Sequence, residues 1–274
     1  MPHELPLTIG AALPVPRLDA FRDWLFEADR DVELQSFHFP GTIDGDWEPL
    51  AAEARRVLDG HKGRIGIHGP FWGFLIATPD VEVRAVVTKR MMQGLDVCAA
   101  VNATQMVIHS PFSTWITHNL LPGSGGFTAM IEDAHAVLDP VVARAAAQGV
   151  TLVIENVQDT DPALQNILVD SFESPFVRTS VDTGHAQIAH ASGEAPPVDY
   201  FIKAAGGRLH HVHLQDVDGY ADRHWPPGQG SIPWHAVFGA LAGLYQRPRL
   251  LIELRDSAGI PAAMRFLGEA GLAV

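Results

Sequence analysis

The sequence predicts an α/β fold, a single (β/α)8 barrel spanning residues 1–274, on three observations. The length of 274 residues is close to the roughly 250 that one such barrel needs. Eight short runs rich in Val, Ile and Leu recur along the chain. Amphipathic segments of helical length lie between these runs, so the apolar period switches between that of a strand and that of a helix in each unit. This alternation is typical of repeated βα units.

The eight apolar runs are assigned to strands in chain order. The first four are LPLTIGAAL at 5–13, VELQSFHF at 32–39, RIGIHG at 64–69 and QMVIHS at 105–110. The last four are TLVIEN at 151–156, RTSVDTGH at 178–185, HHVHLQD at 210–216 and RLLIELRD at 249–256. An open doubly wound sheet is disfavoured because GAALPVPRLDA, which follows the first strand, lacks the G-x-G-x-x-G phosphate loop.

The segments between the strands have helical periodicity. Four clear examples are PLAAEARRVLDGH, VRAVVTKRMMQGLDVCAAV, FTAMIEDAHAVLDPVVARAAAQG and WHAVFGALAGLY. The Pro- and Gly-containing stretch ASGEAPP at 191–197 is interpreted as a loop inside the sixth unit rather than as a linker between domains.

Composition and charge disfavour several classes of protein. Apolar residues make up 47% of the chain, which is ample for a large core. The formal net charge is −13 and the 19 Lys and Arg are not clustered, so a duplex nucleic-acid surface is disfavoured. No long apolar run is present, so we expect neither a signal peptide nor a membrane span and place the protein in the cytoplasm. The single cysteine, Cys98, is predicted to be a buried helical residue.

Metal-binding residue types close most of the predicted strands. The C-terminal ends of barrel strands meet at one rim, where catalytic groups lie. The polar side chains at these ends are His68, His109, Glu155, Asp182 with His185, His213 and Glu253, and the loop after the seventh strand adds Asp222 and His224. Any one of the histidines could instead be a hydrogen-bonded rim residue. The convergence of six strand ends on one rim favours a metal centre.

The two strand-end glutamates are the hardest to explain as structural residues. Glu155 and Glu253 close apolar strands, and a buried carboxylate requires a cation or several donors. Arg255 is the only cation close to Glu253 in sequence. Carboxylate and imidazole ligands suit Mn²⁺, Zn²⁺, Fe²⁺ or Co²⁺, and two such glutamates could also exchange a proton with a substrate. In an extended loop, Asp222 and His224 could face the same way and hold a further metal ion.

The seventh predicted strand, HHVHLQD, offers several candidate ligands. Alternation places His211 and His213 on one face and His210 on the other. We choose His213 as the ligand because it is nearer the strand end, and His211 then has a supporting or core role. Asp216 could orient a ligand imidazole or cap a helix.

Six motifs occur along the chain in the order IHGPF, VIHSPF, LVIENV, SVDTGHA, HVHLQDVDG with ADRHWPPGQGSIPW, and LLIELR. In this order they resemble the xylose-isomerase-like TIM-barrel superfamily. That group contains sugar (phosphate) isomerases and epimerases, inosose dehydratases and the endonuclease IV enzymes. The resemblance covers practically the whole chain, and it is specific for the superfamily rather than for one reaction.

The resemblance implies two different uses of the rim residues. Ketose 3-epimerases of this superfamily hold one metal with a Glu, an Asp, a His and a second Glu, and the two glutamates act as acid and base. The matching positions here are Glu155, Asp182, His213 and Glu253, with His185 at the place of a substrate-contacting histidine. Endonuclease IV relatives use nine ligands for three zinc ions, and all nine rim residues named above have counterparts. The implied cofactor is therefore a divalent metal (Mn, Zn, Fe or Co), with one to three ions.

These features favour a metal-dependent isomerase or epimerase acting on a small sugar, sugar phosphate or polyol. The alternative is a multinuclear phosphoesterase for a small phosphoester or nucleic acid, which the acidic charge and the lack of basic loops disfavour. A non-catalytic binding protein is a third alternative. Trp72 and Trp115 either form walls for a sugar ring or pack on the rim, and Arg255 is expected to contact substrate. A homo-oligomer is expected from analogy alone.

Overall fold

Eight parallel strands close into a barrel in a computed structural model that describes residues 3–274. The strands are β1 (Gly10–Leu13), β2 (Val32–Leu34), β3 (Ile65–His68), β4 (Gln105–His109), β5 (Thr151–Glu155), β6 (Val177–Asp182), β7 (Leu209–Leu214) and β8 (Arg249–Glu253). They pair in chain order, and β8 pairs with β1 to complete the ring. The prediction of a (β/α)8 barrel is confirmed.

Helices follow the strands on the outside of the barrel. They are α1 (Leu18–Glu27), α2 (Pro40–Ile43), α3 (Glu48–Val57), α4 (Val81–Val101), α5 (Thr114–Asn119), α6 (Gly125–Gln148), α7 (Pro162–Ser171), α8 (Thr183–Ala191), α9 (Val198–Ala205), α10 (Trp234–Ala242) and α11 (Ile260–Glu269). Of the predicted loop 191–197, residue 191 ends α8 and residues 192–197 connect α8 to α9, as expected for a loop within the sixth unit.

Local sequence signals set the bounds of the long helices. Asp80 caps α4 by accepting hydrogen bonds from the backbone N of Glu82 at 2.8 Å and of Val83 at 3.1 Å. Gly149 ends α6 in the left-handed conformation, with φ of 70°. Cys98 on α4 is fully buried, and burial raises the pKa of its thiol well above the usual range. The predicted structural role of Cys98 is therefore supported by its surroundings.

The strand bounds differ from the sequence-based assignment by one residue or more, and the differences are largest in β1, β2, β6 and β8. β1 begins at Gly10 and β2 ends at Leu34, so both are shorter than predicted. The sequence predicts a sixth strand that continues to His185, but β6 ends at Asp182. The Asp182 carboxylate accepts a hydrogen bond from the backbone N of His185 at 2.7 Å and thereby caps α8. His185 accordingly lies in the first turn of a helix rather than on a strand end.

The register of the sheet determines which polar side chains become neighbours. His109 is paired with Glu155, and Asp182 is paired with His213. Ala12 is paired with Glu33 on one side and Glu253 on the other. Residues paired across parallel strands point to the same face of the sheet, so this register gathers acids and imidazoles inside one end of the barrel.

No helix within residues 3–274 is long and apolar enough to cross a membrane. A single domain over residues 1–274 stays a prediction.

Two glycine-to-alanine substitutions should differ in their effect on stability, because one glycine is in close contact with its neighbours and the other is not. A Cβ added at Gly10 would lie 1.8 Å from the backbone O of Asp31, so β1 and its neighbour would have to move apart. We expect Gly10→Ala to lower the free energy of unfolding by roughly 1–3 kcal/mol, as overpacking does. Chemical denaturation of both variants against the unmodified chain measures the effect.

Gly239 provides the matched control because it is exposed within α10 and has no atom within 4 Å of an added Cβ. Gly239→Ala should raise the free energy of unfolding by about 0.5–1 kcal/mol, because alanine restricts the unfolded chain. Equal stability of Gly10→Ala and the unmodified chain would contradict the packing described for β1.

Candidate metal centre

The nine predicted rim residues converge at the C-terminal end of the barrel, around a cavity of about 680 Å³. Seven of them line this cavity, namely His68, His109, Glu155, His185, Asp222, His224 and Glu253. Asp182 and His213 lie beneath it and are fully buried. The structure therefore brings together all nine residues that the sequence nominated as ligands.

The first group of candidate ligands consists of His68, His109 and Glu155. Nε2 of His68 lies 3.4 Å from Nε2 of His109 and 3.8 Å from Oε2 of Glu155. His68 Nδ1 donates to the backbone O of Gly69 at 3.0 Å, which leaves the lone pair on Nε2 free to face the group. Burial lowers the pKa of His68 to about 3 and that of His109 well below its usual range. Both imidazoles are thus neutral at pH 7, the form that binds metal.

A second group lies on the opposite side and consists of His185, Asp222 and His224. Nε2 of His185 is 3.5 Å from Oδ1 of Asp222, and Nε2 of His224 is 3.0 Å from Oδ2. His185 Nδ1 donates to the backbone O of Asn156 at 2.9 Å, so its Nε2 also faces the group. Burial would lower the pKa of His224, but hydrogen bonding to Asp222 and the charge of Glu253 outweigh burial and raise it to about 9.

The central group joins Glu155, Asp182, His213 and Glu253. Nδ1 of His213 lies 2.5 Å from Oε1 of Glu155 and 3.5 Å from Oε2 of Glu253. Burial raises the pKa of Glu155 to about 7, although His213 partly offsets the shift. Burial alone would lower the pKa of His213, but the surrounding carboxylates hold it well above its usual range. The positive charge of the protonated His213 imidazole thus offsets the negative charge of the carboxylates around it.

The donor set fits a divalent metal ion. Each of the groups His68–His109–Glu155, His185–Asp222–His224, Glu155–Asp182–His185 and Asp182–His213–Glu253 offers three ligand atoms within 4.8 Å of one another. Buried carboxylates at this density require cations, and oxygen with imidazole nitrogen suits Mn²⁺, Zn²⁺, Fe²⁺ or Co²⁺. The residues gathered at this rim therefore offer a donor set that could hold a divalent ion.

Sequence reasoning missed two residues of β2 and of the loop that follows it. Glu33 is fully buried and lies 3.0 Å from Nε2 of His213. Gln35 donates from Nε2 to Oε1 of Glu253 at 2.5 Å and to Oε1 of Glu33 at 3.1 Å. The available signal was a charged residue inside the apolar run VEL, because such a residue must find partners in the barrel.

Gln215, which directly follows β7, was also missed. Its Nε2 donates to Oδ1 of Asp182 at 3.1 Å and to Oδ1 of Asp222 at 3.0 Å. Its Oε1 accepts a hydrogen bond from the backbone N of His224 at 2.9 Å. A Cβ at Gly184 would lie 2.4 Å from the Gln215 amide, which explains the glycine in the DTGH motif. Gln215 thus connects the central group to the loop that carries Asp222 and His224.

The sequence left two roles open for Asp216, orienting a ligand imidazole or capping a helix, and its contacts within residues 3–274 do not match the first. Its carboxylate accepts hydrogen bonds from the backbone N of Gly228 at 2.9 Å and of Ile232 at 3.2 Å, and from Nε1 of Trp234 at 2.9 Å. A Cβ at Gly230 would lie 2.3 Å from Oδ1 of Asp216, so the loop can wrap this closely only with glycine there. Asp216 organises the PPGQGSIPW segment instead of the metal ligands.

The histidines of β7 are arranged partly as expected. His211 and His213 share a face, since their Nε2 atoms lie 3.2 and 3.0 Å from the carboxylate of Glu33. His210, which alternation places on the other face, contacts Gln105 of β4 at 2.8 Å across the barrel. The register between β6 and β7 shifts just before this point, so simple alternation fails there.

Of the three residues predicted to contact substrate, Trp72 and Arg255 line the cavity and Trp115 does not. Trp72 lines the cavity and stacks on Phe39 with ring centroids 5.5 Å apart. Trp115 lies on α5, is 74% exposed and is not part of the cavity lining. Arg255 lines the cavity but donates to the backbone O of Asp222 at 3.0 Å rather than pairing with Glu253 in the described chain. Among residues 3–274, the aromatic rings that line the cavity form one wall, on the side of β2 and β3.

Comparison with known proteins assigns the family. Residues 29–270 match the family described as Xylose isomerase-like TIM barrel, and the chain belongs to that family. The resemblance stated from the sequence motifs is confirmed, and the expectation of an enzyme of the isomerase and epimerase group agrees with it.

Individual relatives are distant. The uncharacterized protein MJ1311 of Methanocaldococcus jannaschii is 22% identical over 194 residues, which are 68% of this chain and 62% of that protein. The chain thus spans less than two thirds of this relative. The TTHB071 protein from Thermus thermophilus, soaked with ZnCl2, is 24% identical with a TM-score of 0.69, covering 96% of this chain and 99% of that one. A D-tagatose 3-epimerase-like protein is 18% identical with a TM-score of 0.74, covering 96% of both chains. At these identities the likeness shows the fold.

Replacing Asp216 should loosen the loop that carries Asp222 and His224. In Asp216→Asn an amide NH2 would face the backbone N–H groups and the indole N–H that now donate to the carboxylate. We expect the free energy of unfolding to fall by roughly 1.5–3 kcal/mol, the range for hydrogen bonds to a charged group. Urea denaturation and limited proteolysis within 217–233 measure the two effects.

Asp218→Asn is the matched control, because Asp218 lies in the same loop but is exposed, where it accepts from the backbone N of Tyr220 and Ala221 and pairs with Arg223 at 2.8 Å. Exposed ion pairs contribute little to stability. Its stability and its protease resistance should change far less. Similar losses in both variants would show that Asp216 has no special role in the loop.

Proposed function

We propose that the chain is a divalent-metal-dependent isomerase or epimerase acting on a small sugar, sugar phosphate or polyol. The observation that carries this proposal is the position of Glu155 and Glu253, which reach the same His213 Nδ1 from β5 and β8 at 2.5 and 3.5 Å. Two carboxylates on different sides of one ligand group are suited to removing and returning a proton at one carbon. The likeness to a D-tagatose 3-epimerase-like protein supports the same reaction class.

Glu155, Asp182, His213 and Glu253 would hold the ion. When bound, it would polarise the substrate oxygens and so acidify the intervening C–H bond. Burial raises the pKa of Glu155 to about 7, and a bound cation would lower it, so Glu155 would be ionised and able to accept a proton from substrate when the ion is present. Gln35 donates to Oε1 of Glu253 at 2.5 Å, which fixes that carboxylate and leaves Oε2 on the side of His224 and His213.

The cavity suits a small polar substrate with one apolar face. Phe71 and Trp72 form its aromatic wall, and the Phe71 ring stacks on His109 with centroids 4.2 Å apart. Such a wall can cover the C–H face of a sugar ring while the ligand groups face the hydroxyls. Arg255 supplies a cation at the mouth for an anionic substituent. The homo-oligomer and the cytoplasmic location stay predictions.

Glu253→Gln should abolish exchange of solvent hydrogen into substrate while metal remains bound. The amide cannot act as a proton acceptor, but its oxygen can still bind an ion. NMR in D2O, with a panel of ketoses, ketose phosphates and polyols, measures deuterium incorporation, and elemental analysis measures the metal.

Glu53→Gln is the matched control, because Glu53 pairs with Arg56 on the surface of α3 and is remote from the cavity. This variant should incorporate deuterium at the rate of the unmodified chain. Full exchange in Glu253→Gln, on a substrate that the unmodified chain turns over, would remove Glu253 from the proposed role.

A multinuclear phosphoesterase is the second candidate function. It is favoured by the two outer groups, His68–His109–Glu155 and His185–Asp222–His224, which flank the central ligands on both sides. Two or three neighbouring ions could bind both the attacking and the leaving oxygen of a phosphoester.

Metal counting separates the two candidate functions. We expect about one tightly bound ion per chain for the isomerase and two or three for the phosphoesterase. The double variant Asp222→Asn with His224→Gln removes two ligands of one outer group and should leave a one-ion count unchanged. Loss of an ion in that variant, together with hydrolysis of phosphoesters by the unmodified chain, would favour the second function.

A further inference from the structure

Glu33 lies deep inside the barrel, below the ring of predicted ligands. Its side chain is fully buried on β2, where the neighbouring strands present Ala12 and Gly66 at the paired positions. The small neighbours leave room for the carboxylate to extend into the barrel interior. A buried carboxylate is costly unless it is paired, so its partners indicate what it does.

Two donors hydrogen-bond to Oε1 of the Glu33 carboxylate, and the nitrogen of a second imidazole lies near Oε2. Oε1 lies 3.0 Å from Nε2 of His213 and accepts a hydrogen bond from Nε2 of Gln35 at 3.1 Å. Oε2 lies 3.2 Å from Nε2 of His211, whose Nδ1 is hydrogen-bonded to the hydroxyl of Ser180 at 2.8 Å. Glu33 thus contacts two imidazoles and one amide, all fixed by the barrel.

The two nitrogens of His213 face different groups. Nδ1 faces the acids of the central group, with Glu155 at 2.5 Å and Glu253 at 3.5 Å, whereas Nε2 faces Glu33. A nitrogen that binds metal must present its lone pair, so the imidazole proton must then reside on the other nitrogen. With the proton on Nε2, the N–H group of His213 donates to Oε1 of Glu33. This hydrogen bond stabilises the tautomer in which Nδ1 is unprotonated and free to bind metal.

Gln35 connects Glu33 to a second predicted ligand. Its amide nitrogen donates to Oε1 of Glu33 at 3.1 Å and to Oε1 of Glu253 at 2.5 Å. One amide thereby ties the orientation of Glu253 to that of Glu33. Two of the four central ligands are connected to the same buried carboxylate.

We infer that Glu33 is a positioning residue of the metal centre, which fixes His213 with Nδ1 as the ligand atom and, through Gln35, orients Glu253. The inference rests on the metal dependence in the proposed function and not on the reaction that is catalysed. Carboxylates that orient ligand histidines in this way raise metal affinity without contacting the metal.

A measurement on the unmodified chain tests the geometry directly. In the Zn²⁺-loaded protein with 15N-labelled histidine, long-range 1H–15N NMR spectra report which ring nitrogen carries the proton. We expect His213 to be protonated at Nε2 and bound to metal through Nδ1. Glu33, His211 and His213 also offer three ligand atoms within 4.8 Å of one another, so metal bound at Nε2 of His213 is the competing arrangement. That result would overturn the inference.

Substitution of Glu33 tests the energetic contribution. Glu33→Gln keeps the shape and removes the charge, and we expect it to weaken binding of Zn²⁺ and Co²⁺ by about 10–100-fold in calorimetric titrations. The visible absorption bands of the Co²⁺ protein should shift, because His213 and Glu253 are no longer held in place. A role in folding alone would lower the thermal midpoint but leave the affinity and the Co²⁺ bands unchanged.

Asp159→Asn is the matched control, since Asp159 is a buried carboxylate that accepts from the hydroxyl of Ser110 at 2.7 Å, outside the central group. It should keep the Co²⁺ bands of the unmodified chain and bind metal with closely similar affinity. An equal loss in both variants would overturn the inference, as would unchanged affinity in Glu33→Gln.

The outcomes distinguish this inference from the proposed function. If the unmodified chain binds no divalent metal, both are overturned. If it binds metal and Glu33→Gln binds equally well, only the role of Glu33 is overturned. If Glu33→Gln does not fold, the NMR measurement on the unmodified chain decides the question.

Discussion

The crowding of acids at one end of the barrel is the constraint on which the rest of the site depends. Glu33, Glu155, Asp182, Asp222 and Glu253 all lie around or beneath one cavity, and like charges at this spacing cannot all ionise without nearby cations. An imidazole lies between neighbouring acids in almost every direction, for example His213 among three glutamates. The strand ends, the capping of α8 and the loop after β7 bring these imidazoles into place. A bound divalent ion would add to the same compensation of charge.

The barrel could be predicted from sequence because the pattern that produces it lies within each βα unit and is repeated along the chain. Each unit shows a run of strand-forming residues and then an amphipathic helix, and parallel strands joined in this way place their C-terminal ends on one rim. The approach of His109 to Glu155 and of Asp182 to His213 follows from that topology. Element bounds were harder, because Asp182 is at once a strand residue and a helix cap. Apolar periodicity does not report a single side-chain hydrogen bond of this kind.

The residues that support the ligands could not be predicted in the same way. Glu33 lies 180 positions from His213 in sequence and is surrounded locally by apolar residues, so only the closed barrel reveals the pair. The role of Asp216 depends on backbone N–H groups 12 and 16 residues further along, in a loop without regular structure. Gln215 contacts two acids that the sequence had already nominated, but nothing in its own neighbourhood indicates this. The positions of candidate ligands at strand ends can be predicted from the topology of the barrel. The residues that hydrogen-bond to them depend on how side chains pack in the folded chain.

The turn between Asp216 and Asp222 is a convenient place for a spectroscopic label. Asp218 holds this turn through the backbone N of Tyr220 and Ala221, and the Tyr220 side chain is 85% exposed. The chain has one cysteine, Cys98, which is fully buried, so a cysteine introduced at position 220 would be the only accessible thiol. A fluorophore attached there would sit two residues from Asp222, which lines the cavity, and would report on occupancy of the cavity without replacing any ligand.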